Sequence, residues 1–230
     1  MKSFFDSFIK NENCLLDVFN LNYDNWMEYI LEDYNDGYEE IPSYNFKLFN
    51  AQKYMNNYNN HTISHIHGQI CFEEASFEEK DIGMYDFEEQ GYTLYKYPTF
   101  EGANNYRRRH VRSDDISQSG HNIFLSNIIT GRMKMDKLLW SPMQIYIYGL
   151  MRALFENDEI IIIGYGFGDL YINSLLMKFL SIHSRKHITI VSYVKDEKYT
   201  SNVASYGAPF GTHEENVFVK CAMNKEVITK

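Results

Sequence analysis

Four consecutive isoleucines, Ile160–Ile163, lead directly into a turn with glycines at positions 164, 166 and 168. A continuous apolar run bounded by glycine is typical of a strand that is buried on both faces of a parallel sheet. The turn ends at Asp169, and apolar residues at helical spacing follow it (Ile172, Leu175, Leu176, Phe179 and Leu180). A second apolar run at 187–194 predicts another strand, so this part of the chain is expected to form a β-α-β unit.

The preceding part of the chain continues this alternation. We expect strands at Leu15–Leu21 and Thr62–His67, with a helix at about Asn25–Asp33 between them. Pro142 opens a further helix, whose apolar residues recur at helical spacing. The sequence therefore predicts an α/β fold with a Rossmann-like parallel sheet and helices on both faces.

Residues 1–230 are expected to form one domain that contains an irregular segment at 71–135. This segment has acidic stretches and little apolar periodicity, so we interpret it as an insertion or cap with a short helix at Asp115–Thr130. It also holds a basic cluster at 107–112. This cluster could contact a phosphate, but a solvated segment that balances nearby acids is the simpler interpretation.

Composition disfavours several classes of function. The chain has 230 residues and a formal net charge of -9, whereas a general nucleic-acid-binding protein needs a basic face. The isoleucine run is too short for a membrane span, and the first residues lack the apolar stretch of a signal peptide. The cysteines, Cys14, Cys71 and Cys221, stand far apart, which favours a reducing compartment. We expect a cytoplasmic protein that binds neither nucleic acid nor a membrane.

The glycine turn is the first candidate binding segment. Ligands of open parallel sheets bind beyond the carboxyl ends of the strands, and glycines allow backbone amides to approach them closely. The spacing is G-x-G-x-G rather than the dinucleotide fingerprint G-x-G-x-x-G, and Asp169 stands where the helix N-cap is expected. A carboxylate there repels a pyrophosphate, so ribose hydroxyls or an adenine edge suit this turn better. A capped turn without a ligand is an equally weighted alternative.

Two further candidate segments follow the early strands. Asn22 could bind a sugar hydroxyl and Asp24 could orient a water or an imidazole, although a turn residue and a helix cap are the simpler roles. His67 ends the second strand and could accept a proton from a ribose hydroxyl or a water. His65 could share a metal with His67, but no third ligand has convincing spacing. Glu28 has the spacing of a capping box and would reach back to the amide of residue 25.

The order of these segments is more specific than any one of them. Asn22-Tyr23-Asp24-x-x-x-Glu28, then Ile66-His67-Gly68-Gln69-Ile70, then Gly164-Tyr165-Gly166-Phe167-Gly168-Asp169-x-x-Ile172-Asn173 resemble conserved blocks of the sirtuin-like domain family. They are most similar to a bacterial branch whose blocks read T-x-N-Y-D-x-x-x-E, L-H-G-S-I and G-Y-S-F-x-D-x-x-I-N. Thr130-Gly131-Arg132 also fits this branch, and the resemblance covers residues 15–195.

This resemblance implies a protein that binds NAD and either removes acyl groups from lysine or hydrolyses NAD to nicotinamide and ADP-ribose. Bacterial members of the branch are often NADase effectors of antiphage defence. By the resemblance, Asn22 contacts the nicotinamide ribose, Asp24 is the neighbouring acid, and His67 is a base or a partner of a ribose hydroxyl. The loop that lines the adenosine side of the cofactor is the glycine turn, with Gly164, Tyr165, Gly166, Phe167 and Asp169.

Two departures from the family pattern shape the expectation. Acyl-lysine-removing members usually carry a four-cysteine zinc module between the last two blocks, where this chain has only Cys71, so no zinc is expected. The family's opening strand and Gly-Ala-Gly-x-Ser-type phosphate loop should precede Asn22 by many residues, but only 21 residues precede it. We therefore expect an NAD hydrolase that is N-terminally incomplete or completed by a protein partner or a second copy. The alternative is a non-catalytic module that senses NAD or ADP-ribose, or binds a partner, through a degenerate site.

Overall fold

The chain contains both strands and helices, and the computed structural model describes it at residues 5–6, 9, 14–42, 44–73, 94–109, 128–129, 138, 141–182, 187–192 and 217–221. Two compact units divide the chain, Met1–Gly149 and Leu150–Lys230. In chain order the elements are β1 (Asp17–Asn20), α1 (Trp26–Ile30), β2 (Tyr34–Asn35), β3 (Tyr38–Glu40), β4 (Lys47–Phe49), α2 (Ala51–Met55), β5 (His61–His65), β6 (Phe72–Glu73), β7 (Tyr95–Lys96), α3 (Phe100–Arg109), α4 (Met143–Glu156), β8 (Glu159–Ile163), α5 (Leu170–Ile182), β9 (His187–Ser192) and β10 (Val217–Cys221).

A parallel sheet of the first unit positions the early candidate segments. Its strand order is β1-β5-β2, and Asn20, the last residue of β1, pairs with His65, the last residue of β5. Ile63 in the central strand β5 is fully buried. The predicted parallel α/β arrangement is thus confirmed, with strands shorter than the apolar patterns at Leu15–Leu21 and Thr62–His67 indicated. Because the strands are parallel and in register, the segments that follow β1 and β5 leave the sheet at the same edge.

A second, antiparallel sheet of the first unit has the order β3-β4-β7-β6. Strands β6 and β7 come from the segment at 71–135 and pair with each other, and β7 also pairs with β4, which precedes that segment. Within the predicted helix Asp115–Thr130, only residues 128 and 129 are described, and Ile128 forms an antiparallel bridge with Gly68. The rest of that helix lies outside the described residues, as does the basic cluster beyond Arg109, where α3 ends.

Buried aromatic rings form much of the core of the first unit. The rings of Tyr54 and Tyr146 lie 5.2 Å apart, and Phe49 packs edge-on against Tyr146. The Tyr54 hydroxyl and Ser64 Oγ are 2.6 Å apart, while the Tyr146 hydroxyl donates to the Asp36 carbonyl oxygen at 2.8 Å. These bonds satisfy the polar ends of rings that are otherwise enclosed, as burial requires.

Gly149 allows α4 to approach Tyr54 closely. A Cβ at this position would lie 2.9 Å from Tyr54 Cε1 and 3.0 Å from Cζ, and its closest contact would be the Tyr54 hydroxyl. Tyr54 is only 1% exposed and is held by Ser64, so its ring has no room to move away. The glycine is therefore required for helix packing.

Replacing Gly149 with alanine is expected to destabilise the protein by about 2 kcal/mol, because overpacking a dense core displaces its side chains. Urea denaturation measures this change. Gly102→Ala in α3 is the matched control, since its nearest atoms would be 3.5 Å away. This control should be neutral or slightly stabilising, by up to about 1 kcal/mol, because alanine favours helix. Equal effects of the two substitutions would contradict the packing described for Gly149.

The second unit contains a parallel sheet with the order β10-β9-β8, in which β8 and β9 flank α5 in sequence. The predicted β-α-β unit is confirmed, including the strand at 159–163. The expectation that this strand is buried on both faces is wrong, because Ile161 is 37% and Ile163 is 44% exposed, whereas Ile162 is 9% exposed. Alternate residues of a strand face opposite sides, so the isoleucine run indicated a strand but not how many of its faces are covered. Among the described residues, no helix has the length and apolar character needed to cross a membrane.

Candidate functional site

Two segments meet at the carboxyl ends of β1 and β5. We call Leu21–Asp24 the Asn-Tyr-Asp segment and Ile66–Ile70 the His-Gly turn. The Ile66 amide donates to the Asn20 carbonyl oxygen at 3.2 Å, and the Ile70 amide donates to the Tyr23 carbonyl oxygen at 2.9 Å. Backbone hydrogen bonds therefore fasten the two segments together at the edge of a parallel sheet where ligands of such sheets bind.

His67 lies at the centre of this junction. Its side chain is buried, with 8% of the residue exposed, and its Nδ1 lies 3.2 Å from the Leu21 carbonyl oxygen. Because a carbonyl oxygen only accepts, Nδ1 carries the hydrogen, and Nε2 is the basic nitrogen of the neutral ring. The His67 carbonyl oxygen also accepts from the Ile129 amide at 2.8 Å. The structure thus fixes both the backbone and the tautomer of the predicted base.

Asn20 organises the Asn-Tyr-Asp segment. Its Oδ1 accepts from the Asn22 amide at 2.9 Å, and its Nδ2 donates to the Asp24 carbonyl oxygen at 3.2 Å. The side-chain bonds of the turn come from Asn20, so Asn22 keeps an exposed side chain at the end of β1. Asp24 Oδ1 accepts from the Trp26 amide at 3.1 Å, which places this carboxylate at the start of α1. Asp24 precedes the N-cap residue Asn25, so its carboxylate binds the first amide of the helix without occupying the N-cap position.

Glu28 makes contacts that its spacing did not predict. The Asn25 side chain forms no cap hydrogen bond, and Glu28 Oε1 instead lies 3.0 Å from His65 Nε2 and 3.3 Å from Lys96 Nζ. Gln69 Nε2 also donates to this oxygen. Glu28 is thus engaged in the interior rather than in the predicted capping box, because three donors compete with the helix amide.

Lys96 connects this cluster to a second acid. Its ammonium lies 2.6 Å from Asp36 Oδ2 and 5.7 Å from the centre of the Tyr34 ring. The Lys96 side chain is 13% exposed, and those of Glu28 and Asp36 are 10% and 11% exposed. We refer to Glu28, Asp36, His65, Gln69 and Lys96 as the buried polar cluster.

The pKa values of two groups reflect these contacts. Burial by itself raises the pKa of Glu28, but the hydrogen bond from His65 and the electrostatic interactions with His65 and Lys96 outweigh it and lower the pKa from 4.5 to about 2. Burial lowers the pKa of Lys96, whereas the Asp36 and Glu28 carboxylates raise it well above its usual value, with a net upward shift. Glu28 and Lys96 are therefore both charged throughout the neutral range.

The cluster also bears on the metal considered for His65 and His67. His65 Nε2 faces Glu28, so this ring nitrogen already has a partner inside the unit. In the part of the chain that the structure describes, no three His, Cys, Asp or Glu side chains are grouped so that they could hold a metal ion.

The glycine turn of the second unit is shaped by Asn173. Its Nδ2 donates to the Phe167 carbonyl oxygen at 2.7 Å, and its Oδ1 lies 2.7 Å from the Tyr165 hydroxyl. Asp169 Oδ1 accepts from the Tyr171 and Ile172 amides at 3.1 and 3.3 Å, which confirms the expected cap of α5. Burial and the nearby Asp169 carboxylate raise the pKa of Tyr165 to about 12, so its hydroxyl stays a donor.

The backbone of this turn is open. Phe167 has φ of 53° in the left-handed region, and its ring lies 4.8 Å from that of Tyr165. A Cβ built at positions 164, 166 or 168 would meet no atom within 4 Å. No packing contact of the described chain therefore requires these glycines, and the exposed backbone at Gly166 and Gly168 lies beside two aromatic rings, whereas the Gly164 amide donates to the Val191 carbonyl oxygen at 2.8 Å.

The sequence pattern identifies the candidate residues at the three strand ends, but it does not identify the side chains that hydrogen-bond to these segments and position them. Glu28, Gln69 and Asn173 lie within the three blocks. The local pattern predicts a role only for Glu28, in a capping box, and that prediction is wrong. Asp36 and Lys96 carry no local pattern, because each is a single charged residue far along the chain from its partners.

Comparison with known families adds an independent finding. Residues 17–209 match the family model described as the SIR2-like domain. No curated protein matches the chain. The matched range includes the Asn-Tyr-Asp segment, the His-Gly turn and the glycine turn.

Proposed function

The chain belongs to the SIR2-like family, and we propose from this premise that it hydrolyses NAD to nicotinamide and ADP-ribose. SIR2-like domains bind NAD, which supports an NAD-related function for this chain. The observation that carries the hydrolase proposal is the junction at the ends of β1 and β5, where the exposed Asn22 and the oriented ring of His67 lie on adjoining segments. Such an edge is where parallel sheets bind ligands.

The residue types at this junction suit cleavage of a glycosidic bond. When the bond between nicotinamide and ribose breaks, the electron pair leaves with nicotinamide and positive charge develops on the ribose. Asn22 would hold a ribose hydroxyl or the attacking water through its amide, which both donates and accepts. His67 Nε2 would take the proton that the water loses as its oxygen bonds to the ribose carbon. Asp24 would add negative charge near the developing cation.

For the glycine turn of the second unit, we propose binding of an adenosine group. Gly164 and Gly166 expose backbone, and Tyr165 and Phe167 present aromatic rings beside it. The Asp169 carboxylate caps α5, so a phosphate is disfavoured at this helix start and a ribose or an adenine edge is the better match.

Replacing Gly166 with alanine is expected to weaken NAD binding about tenfold without loss of stability, because a single methyl group placed against a ligand costs roughly 1–3 kcal/mol. The folded chain has room for that methyl group, and Gly166 is not among the residues with positive φ. Isothermal titration with NAD measures the affinity, and thermal unfolding checks the fold. Gly102→Ala serves as the control that should leave affinity unchanged. An unchanged affinity in Gly166→Ala would remove the glycine turn from the proposed NAD site.

Nucleotide sensing without turnover is the second candidate function. It is favoured by two observations, the burial of His67 and the use of the Asp24 carboxylate at the start of α1. A sensor would show heat on titration with NAD or ADP-ribose and release no nicotinamide, whereas a hydrolase shows both. A partner-binding module would show neither.

The cellular setting is a further proposal. The similarity of the three blocks to the bacterial branch supports a role in antiphage defence and a chemistry without zinc. The wide spacing of the three cysteines supports a cytoplasmic location. The acidic net charge of -9 supports a ligand other than nucleic acid.

A further inference from the structure

Glu28 binds one residue on each side of His67, the last residue of β5 and a residue of the His-Gly turn. Its carboxylate accepts from His65, two residues before His67, and from Gln69, two residues after it. Glu28 belongs to α1, which directly follows the Asn-Tyr-Asp segment. One carboxylate therefore connects the helix that follows Asn22 in the chain to the residues on either side of His67.

The charge and the burial of Glu28 make this connection rigid. His65 and Gln69 are both fully buried, and the Glu28 side chain is 10% exposed, so water competes little for these bonds. Hydrogen bonds to an ionised acceptor are stronger than those between neutral groups. Lys96 lies 3.3 Å away and supplies the opposite charge that keeps this acid ionised in the interior.

An ion pair between Glu28 and Lys96 that only stabilised the fold would not need the further bonds from His65 and Gln69 to Glu28. Lys96 already pairs with Asp36 at 2.6 Å, and an apolar pair of similar volume is often as stable as a buried ionic one. The Glu28 carboxylate additionally binds two specific donors, His65 at the end of β5 and Gln69 in the His-Gly turn, and so holds both against α1. The backbone bond from Ile70 to Tyr23 and the bond from His67 to Leu21 complete the connection.

We infer that Glu28 is a positioning residue, which holds the His-Gly turn against α1 so that His67 faces the ligand bound by the Asn-Tyr-Asp segment. This inference rests on the proposed function for its catalytic consequence. That Glu28 holds the His-Gly turn against α1 does not depend on the proposed function and can be tested without any enzyme activity.

The test compares Glu28→Gln with the same substitution at Glu40, an exposed acid in β3 that pairs with Lys47 at 3.5 Å. Amide hydrogen exchange is followed at Ile66 and Ile70, whose amides join the two segments, and at Asn50, whose amide bonds to Gly37 in the same unit. Exchange at Ile66 and Ile70 should accelerate about tenfold in Glu28→Gln and stay unchanged at Asn50, since local opening is independent of global unfolding. The Glu40→Gln control should leave the exchange of all three amides unchanged.

Steady-state kinetics of nicotinamide release supplies the second readout. Glu28→Gln should lower kcat about tenfold and change KM by less than about threefold, because a misplaced His67 affects the transition state more than ground-state binding. If Glu28→Gln does not fold, Gln69→Leu replaces it, since it removes one donor to Glu28 and leaves every charge of the cluster in place. The expected exchange pattern and kinetic change are the same in direction.

The outcomes separate the two proposals. Faster exchange at Asn50 as well as at Ile66 and Ile70 would make Glu28 a global stabiliser and overturn the inference. Unchanged kcat in an active wild-type protein would also overturn it. If wild type releases no nicotinamide, the proposed function fails, and the exchange pattern alone then decides whether Glu28 positions the turn.

Discussion

Replacing Asn22 with alanine is expected to lower the rate of nicotinamide release about 100-fold, since removal of one preorganised polar group at a reacting centre costs two to three orders of magnitude. The fold should be unaffected within about 0.5 kcal/mol, because surface substitutions away from supporting contacts are nearly neutral. Asn20, not Asn22, supplies the side-chain hydrogen bonds of this turn. A loss of activity with unchanged stability would therefore assign Asn22 to the ligand.

Asn60→Ala is the matched control for this experiment. Asn60 is also exposed, but it lies just before the amino end of β5, at the opposite end of that strand from His67. Its replacement should leave nicotinamide release unchanged. For His67, glutamine is the better replacement than alanine, because this side chain is buried and a cavity would confuse activity with stability. Equal rates in wild type and Asn22→Ala would contradict the proposed role of the Asn-Tyr-Asp segment.

Replacing Lys96 with methionine is expected to destabilise the protein by about 3–5 kcal/mol at neutral pH, which is the usual result of breaking a buried ion pair from one side. Methionine fills a similar volume, so the loss would come from charge rather than from a cavity. The two carboxylates of Glu28 and Asp36, 10% and 11% exposed, would be left without the ammonium that lies within 3.3 Å of both. Denaturant unfolding at pH 7 measures the loss.

Lys47→Met is the matched control, because Lys47 pairs with Glu40 at 3.5 Å on the surface, where the side chains are 39% and 85% exposed. Such a pair contributes about 0–1 kcal/mol, so its loss should be small. Comparable effects of the two substitutions would contradict the burial and charge described for the polar cluster.

The pH dependence of stability follows from Glu28. Its pKa is lowered from 4.5 to about 2 in the folded protein, so the unfolded chain binds the proton more readily. The stabilisation is complete above pH 4.5 and is lost as the pH falls toward 2, with an upper limit of about 3 kcal/mol. In Lys96→Met one source of the lowered pKa is absent, so the difference from wild type should narrow between pH 7 and pH 3. A constant difference over this range would show that Glu28 does not respond to Lys96.

Local patterns in the sequence predict much of this fold. The strand at 159–163, the helix after Pro142 and the helix after the glycine turn are encoded by the spacing of apolar residues, which packing preserves. The antiparallel sheet of the first unit was not predicted, because strands of two or three residues carry too little periodicity and pair across long stretches of chain. The exposure of Ile161 was also not predicted, because the residues that cover a strand are distant from it in the sequence.

In the candidate site, too, local patterns identify some residues, whereas contacts between distant residues are not predicted. Asn22, His67 and Asp169 stand at strand ends or helix starts, positions that neighbouring residues reveal. The partners of Glu28 are 37, 41 and 68 residues away, so the same glutamate that fits a local capping box forms an interior cluster instead. Asn20 was missed because either asparagine, at 20 or 22, has the side chain that a turn needs.

Cleavage of NAD at the junction of the Asn-Tyr-Asp segment and the His-Gly turn is the reaction that we propose for this chain. The most direct test incubates the purified protein with NAD and measures nicotinamide and ADP-ribose by chromatography, for wild type and Asn22→Ala side by side. Wild type should form the two products in equal amounts, and Asn22→Ala should form them about 100-fold more slowly. NAD that remains intact with wild type, or is cleaved equally by both proteins, would contradict the claim.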